Sequence, residues 1–271
     1  MAALWRTVAP RLERQRRADR HLALAMPELS PSRRREILLG MWDHLGRVAA
    51  EGLRLSRIVD DPRRVEIDDA GVPGGLSALR GGFIGVSLHS GNWEVACAAA
   101  RQLGLPSYGV YRPMTNPYSE AFIRARRSFG YSDLIPTGGR AGIRVAALAK
   151  AGGSAIGFLG DLRYGRGHKI EFFGRPSTAT TFPYALAQRF GLPLVLVRCI
   201  RLGTGTRFRL EIEDLPLGST GDAEADAGAA AQAAHRRFET WIREYPEQWM
   251  WAHRKWDVEP AGPTLPLVGK T

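Results

Sequence analysis

The chain is poor in cysteine. Its 271 residues include two, Cys97 and Cys199, which lie far apart in apolar surroundings. This spacing predicts reduced core thiols in a cytosolic protein rather than a disulfide framework. No CxxC or Cys/His cluster occurs, so no metal site is expected. The patterns HExxH and GxSxG are missing as well, which leaves zinc hydrolysis and serine-based covalent hydrolysis without support.

Long apolar runs are also missing. No run reaches the roughly 18 residues that a membrane-spanning helix needs, so none is predicted. The N-terminus lacks the apolar region and cleavage site of a signal peptide. It mixes apolar residues with arginines, as in a helix that lies flat on an anionic membrane. These residues are Leu4, Trp5, Val8 and Leu12. Pro10 interrupts the pattern, and a helix packed on the domain is an equally good interpretation.

Negative charge is in short supply. There are 38 Lys and Arg residues against 27 Asp and Glu, which gives a net charge of +11. This excess indicates an anionic partner: nucleic acid, anionic lipid or an acidic carrier protein. No helix-turn-helix, zinc-finger or RNP-type motif occurs, so we expect no nucleic-acid binding. A GC-rich genome that encodes Arg in place of Lys would explain part of the excess.

Strands and helices alternate after residue 80. Short apolar runs lie at 83–89, 107–112 and 154–161, and the first two precede helical patterns. An earlier helix is predicted over 31–57, while 58–80 is polar and rich in Gly and Pro. The alternation predicts an α/β fold: a single domain with a mixed, mostly parallel sheet flanked by helices.

Three of the predicted strands run directly into a polar residue. These residues are His89, Arg112 and Asp161. In parallel sheets the carboxyl ends of the strands share one edge, and functional residues gather there. We therefore expect these three side chains to form one site.

The stretch SLHSGNWEVA places Glu94 five residues after His89. Gly91 allows a turn, and Asn92 is a favoured N-cap for a helix that begins near Trp93. Glu94 then lies in the first helical turn, where it could orient the imidazole as a general base. A buried histidine beside a capped helix fits the same pattern. Without a protein nucleophile, such a base would activate a substrate hydroxyl toward a thioester or a similar acyl group.

Four blocks of the sequence follow one another in a recognisable order. The first is SLHSGNWEVA; the others are YRPMTNPYSEAFIRARRSFG at 111–130, a block containing Asp161 at 157–195, and YPEQWMWAHRKW at 245–256. They resemble the bacterial lipid A biosynthesis acyltransferases, whose HX4(D/E) motif matches the first block. The resemblance covers about residues 30–256 and implies a fold like that of the glycerolipid acyltransferases.

The resemblance implies an enzyme that moves a fatty acyl chain from acyl carrier protein or acyl-CoA to a hydroxyl of a lipid A precursor. No acyl-enzyme and no cofactor are expected. Residues 1–57 would form a helical region and a candidate membrane contact, and 58–271 the catalytic core. The protein would bind the anionic cytoplasmic face of the bacterial inner membrane peripherally. A related branch acylates phosphatidylinositol mannosides, and a thioesterase or lipid hydrolase could use the same site.

Roles for individual residues also follow from the resemblance. His89 would be the general base and Glu94 its orienting partner. Arg112 would bind phosphate or stabilise charge at the thioester carbonyl, and Asp161 would position Arg112 or the acceptor. The predicted substrate-binding residues are Asn92, Arg112, Arg127, Asp161 and Arg163; Asn92 fits a simple N-cap equally well. His168 and His253 receive no role, and Trp249, Trp251 and Trp256 are expected to be packing residues.

Overall fold

A computed structural model of the chain describes Trp5 and residues 13–256. The predicted membrane-surface helix around Leu4, Val8 and Leu12 lies outside this part. The division of the chain at residue 57 stays a prediction. No helix in the described part is long and apolar enough to cross a membrane.

The helices flank a central sheet on both faces. They are α1 (Glu13–Ala25), α2 (Pro31–Glu51), α3 (Leu55–Val59), α4 (Ala98–Gln102), α5 (Pro117–Arg127), α6 (Ala141–Ala151), α7 (Phe182–Phe190) and α8 (Ala223–Glu244). Short 3-10 turns cover Gly52–Arg54, Leu76–Leu79, Trp93–Cys97 and Pro246–Gln248. The strands are β1 (Val65–Gly71), β2 (Phe83–Ser87), β3 (Ser107–Tyr111), β4 (Asp133–Pro136), β5 (Ala155–Leu159), β6 (His168–Phe172), β7 (Arg175–Ala179), β8 (Leu194–Arg201) and β9 (Phe208–Asp214).

Seven strands form the main sheet in the order β1-β9-β8-β2-β5-β3-β4. The five from β8 to β4 are parallel, whereas β9 runs antiparallel to β8 and carries β1 alongside it. Strands β6 and β7 form a separate antiparallel hairpin. The predicted single α/β domain with a mixed, mostly parallel sheet is confirmed.

Most predicted elements match the structure, and the differences have physical causes. The predicted apolar runs form β2, β3 and β5; β2 is fully buried, and β3 and β5 are buried in part. Strand β1 was missed because its sequence VEIDDAG is charged and lies at the sheet edge, where only alternate side chains face the core. Strand β7, RPSTA, carries almost no apolar signal and depends on its pairing with β6.

The loop after β2 is held in place by two other parts of the chain, the C-terminal block and β8. Met250 N–H donates to the carbonyl of His89 (3.0 Å), and Gly91 N–H donates to the carbonyl of Gln248 (3.1 Å). Gly91 has φ of +57°, and a Cβ there would lie 1.9 Å from the carbonyl oxygen of Cys199 on β8. The loop therefore packs directly on backbone and has no room for a side chain.

We expect Gly91→Ala to destabilise the fold by about 3 kcal/mol or more, because it combines a left-handed backbone with a clash against main chain. Thermal unfolding would measure this. Gly142→Ala is the matched control, since Gly142 lies in α6 with open space around its Cβ position. Equal melting temperatures for the two variants would contradict the tight packing of the loop.

Candidate active site

His89 and Asp161 meet at the carboxyl edge of neighbouring strands β2 and β5. The imidazole Nδ1 lies 2.8 Å from Asp161 Oδ1, and the His89 backbone N–H donates to Oδ2 at 2.9 Å. The indole N–H of Trp249 donates to the same Oδ2 at 2.9 Å. Because an ionised carboxylate only accepts hydrogen bonds, Nδ1 carries the proton and Nε2 keeps its lone pair. This is the arrangement of an oriented general base.

Asp161 is 1% exposed, and its carboxyl group stays ionised only because these donors stabilise the negative charge. Burial alone would raise the pKa of this carboxyl group. The attraction of His89 and the hydrogen bonds from His89 and Trp249 outweigh burial and hold the pKa below its ordinary value. Asp161 is therefore ionised at neutral pH and can stabilise a positive charge on the imidazole.

Glu94 faces away from this pair. Its carboxylate accepts from Arg127 Nε at 2.8 Å and from the indole N–H of Trp93 at 2.9 Å. The prediction that Glu94 orients His89 is therefore corrected: the carboxylate at the imidazole is that of Asp161. The cause is the 3-10 turn Trp93–Cys97, which directs Glu94 toward α5.

Arg127 is engaged by the same contact. Burial would lower the pKa of this guanidinium, but the charge of Glu94 raises it overall. Its Cζ also lies 5.7 Å from the centre of the Tyr111 ring. The predicted phosphate ligand is thus a partner of Glu94 that fastens α5 to the loop after β2.

Asn92 is completely buried, and both ends of its amide are used internally. Its Oδ1 accepts from the Glu94 N–H at 3.3 Å, and its Nδ2 donates to Glu51 at 2.9 Å. A substrate could not reach this side chain. Asn92 therefore holds the turn, and its predicted role in substrate binding is corrected.

Glu51 connects the turn to the buried residues of α2 and β8. Arg201 donates to Glu51 Oε2 at 2.7 Å and to His44 Nδ1 at 3.2 Å. His44 Nε2 lies 2.9 Å from the carbonyl of Gly91, and burial lowers the pKa of His44 to about 4. The neutral ring therefore donates to Gly91 and accepts from Arg201. The sequence analysis missed this network because its members are far apart in the chain.

Arg112 and Arg163 lie outside the His89–Asp161 pair, and both are exposed. Arg112 makes no hydrogen bond or ion pair within the described residues, so the expected contact with Asp161 is not formed. Arg163 lines a cavity of about 490 Å³ together with three other basic residues, Lys169, Arg175 and Lys255. Their roles in substrate binding stay predictions.

The C-terminal block contributes more than packing. Trp249 binds Asp161, whereas Trp251 and Trp256 are buried packing residues as expected. The ring of His253 lies 4.7 Å from that of His89, and burial, with a smaller contribution from the neighbouring His89, lowers the pKa of His253 to about 4. The signal that could have found His253 was its place close to Trp249 in the fourth block of the family resemblance.

Lys255 is fully buried behind this centre. Its Nζ lies 2.9 Å from His235 Nε2 and 4.9 Å from the centre of the Phe172 ring. Burial lowers the pKa of Lys255 to about 7, while the negative charge of Asp161 acts to raise it. A pKa near 7 means that Lys255 can gain or lose its proton near neutral pH.

A narrow apolar groove begins next to His89. It has a volume of about 90 Å³ and lies between the sheet and the turn Trp93–Cys97. The ring of Trp93, in its wall, lies 5.2 Å from the ring of His89. A base with a free lone pair therefore stands at the end of an apolar groove, as acyl transfer to a hydroxyl requires.

Comparison with known proteins agrees with this geometry. The model of the family described as bacterial lipid A biosynthesis acyltransferase matches residues 1–257. The chain belongs to this family. It is 27% identical over 267 residues to the lipid A biosynthesis palmitoleoyltransferase of Escherichia coli K12, covering 90% of this chain and 79% of the relative. The lipid A biosynthesis lauroyltransferase of the same organism is 27% identical over 259 residues, with the same coverage. The chain is thus an acyltransferase of the late lipid A type.

We expect Trp249→Phe to raise the pKa of Asp161, because one donor to the carboxylate is lost. A depressed carboxyl pKa contributes stability above the unfolded pKa of about 4, and that stability is lost as the pH falls. The free energy of unfolding of the variant should therefore be lower at pH 7, by about 1.5–3 kcal/mol, and its melting temperature lower as well. The variant should also lose less stability than the wild type when the pH falls.

Thermal unfolding between pH 7 and pH 3 would measure the difference. Trp241→Phe is the control, since the indole N–H of Trp241 is buried without a partner in the described part of the chain. A pH dependence of stability that is identical in the two variants would contradict the role given to Trp249.

Proposed function

We propose that the enzyme transfers a fatty acyl chain from acyl carrier protein or acyl-CoA to a hydroxyl of a lipid A precursor. The observation that carries the proposal is the His89–Asp161 pair, in which Nε2 alone is free to act as a base. Membership of the lipid A acyltransferase family supports the reaction class and the acceptor. No cofactor is needed, because the thioester is already activated.

In the proposed reaction, His89 Nε2 takes the proton of the acceptor hydroxyl as the oxygen attacks the thioester carbonyl. Asp161 stabilises the imidazolium that forms. Collapse of the tetrahedral intermediate breaks the C–S bond, and the imidazolium gives its proton to the departing sulfur. Arg112, exposed at the same edge of the sheet, is our candidate for stabilising the negative oxygen.

Direct transfer without an acyl-enzyme is part of the proposal. Both cysteines are buried, and burial raises the pKa of each thiol to about 12. Such thiols are poor nucleophiles at neutral pH. The side chain of His89 is hydrogen-bonded to Asp161 and, within the described residues, to no serine or threonine hydroxyl that it could activate.

We expect His89→Ala to lower kcat by about 10²–10⁴-fold, the usual contribution of a general base. Asp161→Asn should also lower kcat strongly, because the amide cannot stabilise the imidazolium. The assay incubates acceptor lipid with labelled acyl carrier protein of several chain lengths and identifies the acylated lipid by mass spectrometry. Acyl-CoA in place of the carrier protein tests the donor.

Glu94→Gln is the matched carboxylate control for this experiment. It should keep the pH profile of kcat, because Glu94 binds Arg127 rather than His89. If Glu94→Gln changed the pH profile of kcat while Asp161→Asn left that profile unchanged, the pairing of His89 with Asp161 would be wrong. Free fatty acid without acylated lipid would identify a hydrolase instead.

We further propose that the enzyme binds the cytoplasmic face of the inner membrane peripherally, with the carboxyl edge of the sheet facing the lipid. Large apolar side chains are exposed in the segments that follow the strands, with Tyr118 86% and Ile143 71% exposed. Exposed arginines share this edge: Arg112, Arg140, Arg163 and Arg166. Each basic residue near an anionic surface contributes about 1 kcal/mol to binding.

The double variant Tyr118→Ser/Ile143→Ser should bind anionic vesicles several-fold more weakly in co-sedimentation at low salt, because both apolar anchors are lost. Phe129→Ser is the control: Phe129 is 54% exposed but lies beyond the far end of α5. Equal loss of binding in both variants would contradict the proposed orientation.

A further inference from the structure

Three glycines lie side by side in the middle of the sheet. Gly85 on β2 pairs with Gly157 on β5, which pairs in turn with Gly109 on β3. Residues paired in parallel strands point to the same face of a sheet, and all three line the apolar groove beside His89. The floor of the groove is thus a row of positions without side chains.

Local packing does not explain two of these glycines. A Cβ at Gly157 would come no closer than 3.8 Å to any atom, and a Cβ at Gly85 no closer than 3.5 Å. Neither residue has a positive φ. Gly109 differs, since a Cβ there would press on Leu134 and Tyr131 at 3.1 Å. Glycine inside a strand weakens it, and often marks a place where a ligand approaches the backbone.

The shape of the groove fits a single extended chain. It follows β2 from Ser87, near His89, inward to Phe83, a distance of roughly 13 Å at about 3.3 Å per residue. The wall opposite the glycines includes the small residues Ala96 and Ala100. With a volume of about 90 Å³, the groove has room for a stretch of hydrocarbon chain and none for a sugar.

The electrostatics of the groove also favour a hydrocarbon. Its charged lining residues are Glu94 and Arg127, and they neutralise each other in one ion pair. No uncompensated charge in the lining is available to bind a phosphate or a carboxylate. An apolar chain entering the groove therefore leaves no buried charge unpaired.

We infer that this groove holds the fatty acyl chain of the donor, and that Gly157 and Gly85 set the chain length the enzyme accepts. The inference rests on the proposed acyl transfer. Side chains added to the glycine floor occupy the path of the chain beyond its first carbons. They exclude long chains and leave short ones in place, so these glycines determine specificity rather than catalysis.

The test is a competition between acyl carrier proteins that bear chains of different lengths, with products identified by mass spectrometry. Gly157→Val should shift the kcat/KM ratio of short to long donors by about tenfold or more toward short chains, since each methylene in an apolar pocket is worth about 10-fold or more. Gly157→Ala should shift it less. Gly205→Val is the control, because Gly205 is exposed and has open space at its Cβ position.

A binding measurement separates this inference from the proposed function. Dodecanoate should raise the melting temperature of the wild type and of Gly205→Val, but not that of Gly157→Val. Wild-type protein that binds dodecanoate yet transfers no acyl chain would overturn the function alone. If Gly157→Val fails to fold, Gly85→Ala takes its place in both assays. Unchanged chain preference together with an unchanged dodecanoate effect would overturn the inference.

Discussion

The buried carboxylate of Asp161 is the contact on which the rest of the site depends. It accepts hydrogen bonds from the backbone and ring of His89 and from the indole of Trp249. An ion so deeply buried is stable only when such donors surround it. The three donors come from two distant segments, the loop after β2 and the C-terminal block. The same carboxylate therefore orients His89 and holds the C-terminal block against the loop after β2.

A buried ion pair between Glu51 and Arg201 also holds this loop. Glu51 and Arg201 connect α2 to β8, and Asn92 and His44 extend their hydrogen bonds to the turn. The loop after β2 is thus fixed on one side by Asp161 and on the other by this network. Such rigidity favours a general base, because even a small error in the position of the imidazole slows proton transfer.

Two cavities of the described structure differ in the charge of their linings. The groove along β2 carries a neutralised ion pair and a floor of glycine, whereas the larger cavity is lined by Arg163, Lys169 and Arg175. A lipid substrate has the same two parts, a hydrocarbon chain and a phosphorylated headgroup. The exposed apolar residues at this edge would bring both parts within reach of the base.

The sequence by itself determined the α/β fold, because apolar strands alternating with amphipathic helices have one good way to bury their surfaces. It also placed His89 and Asp161 at the ends of strands. It missed β1 and β7, whose residues carry little apolar signal of their own. Only the tertiary structure decided which carboxylate serves His89. Pairing of β2 with β5 brings Asp161 to the imidazole, while the 3-10 turn after Asn92 directs Glu94 to Arg127. A spacing of five residues fixes distance along the chain, but strand order and turn geometry fix the direction in which each side chain points.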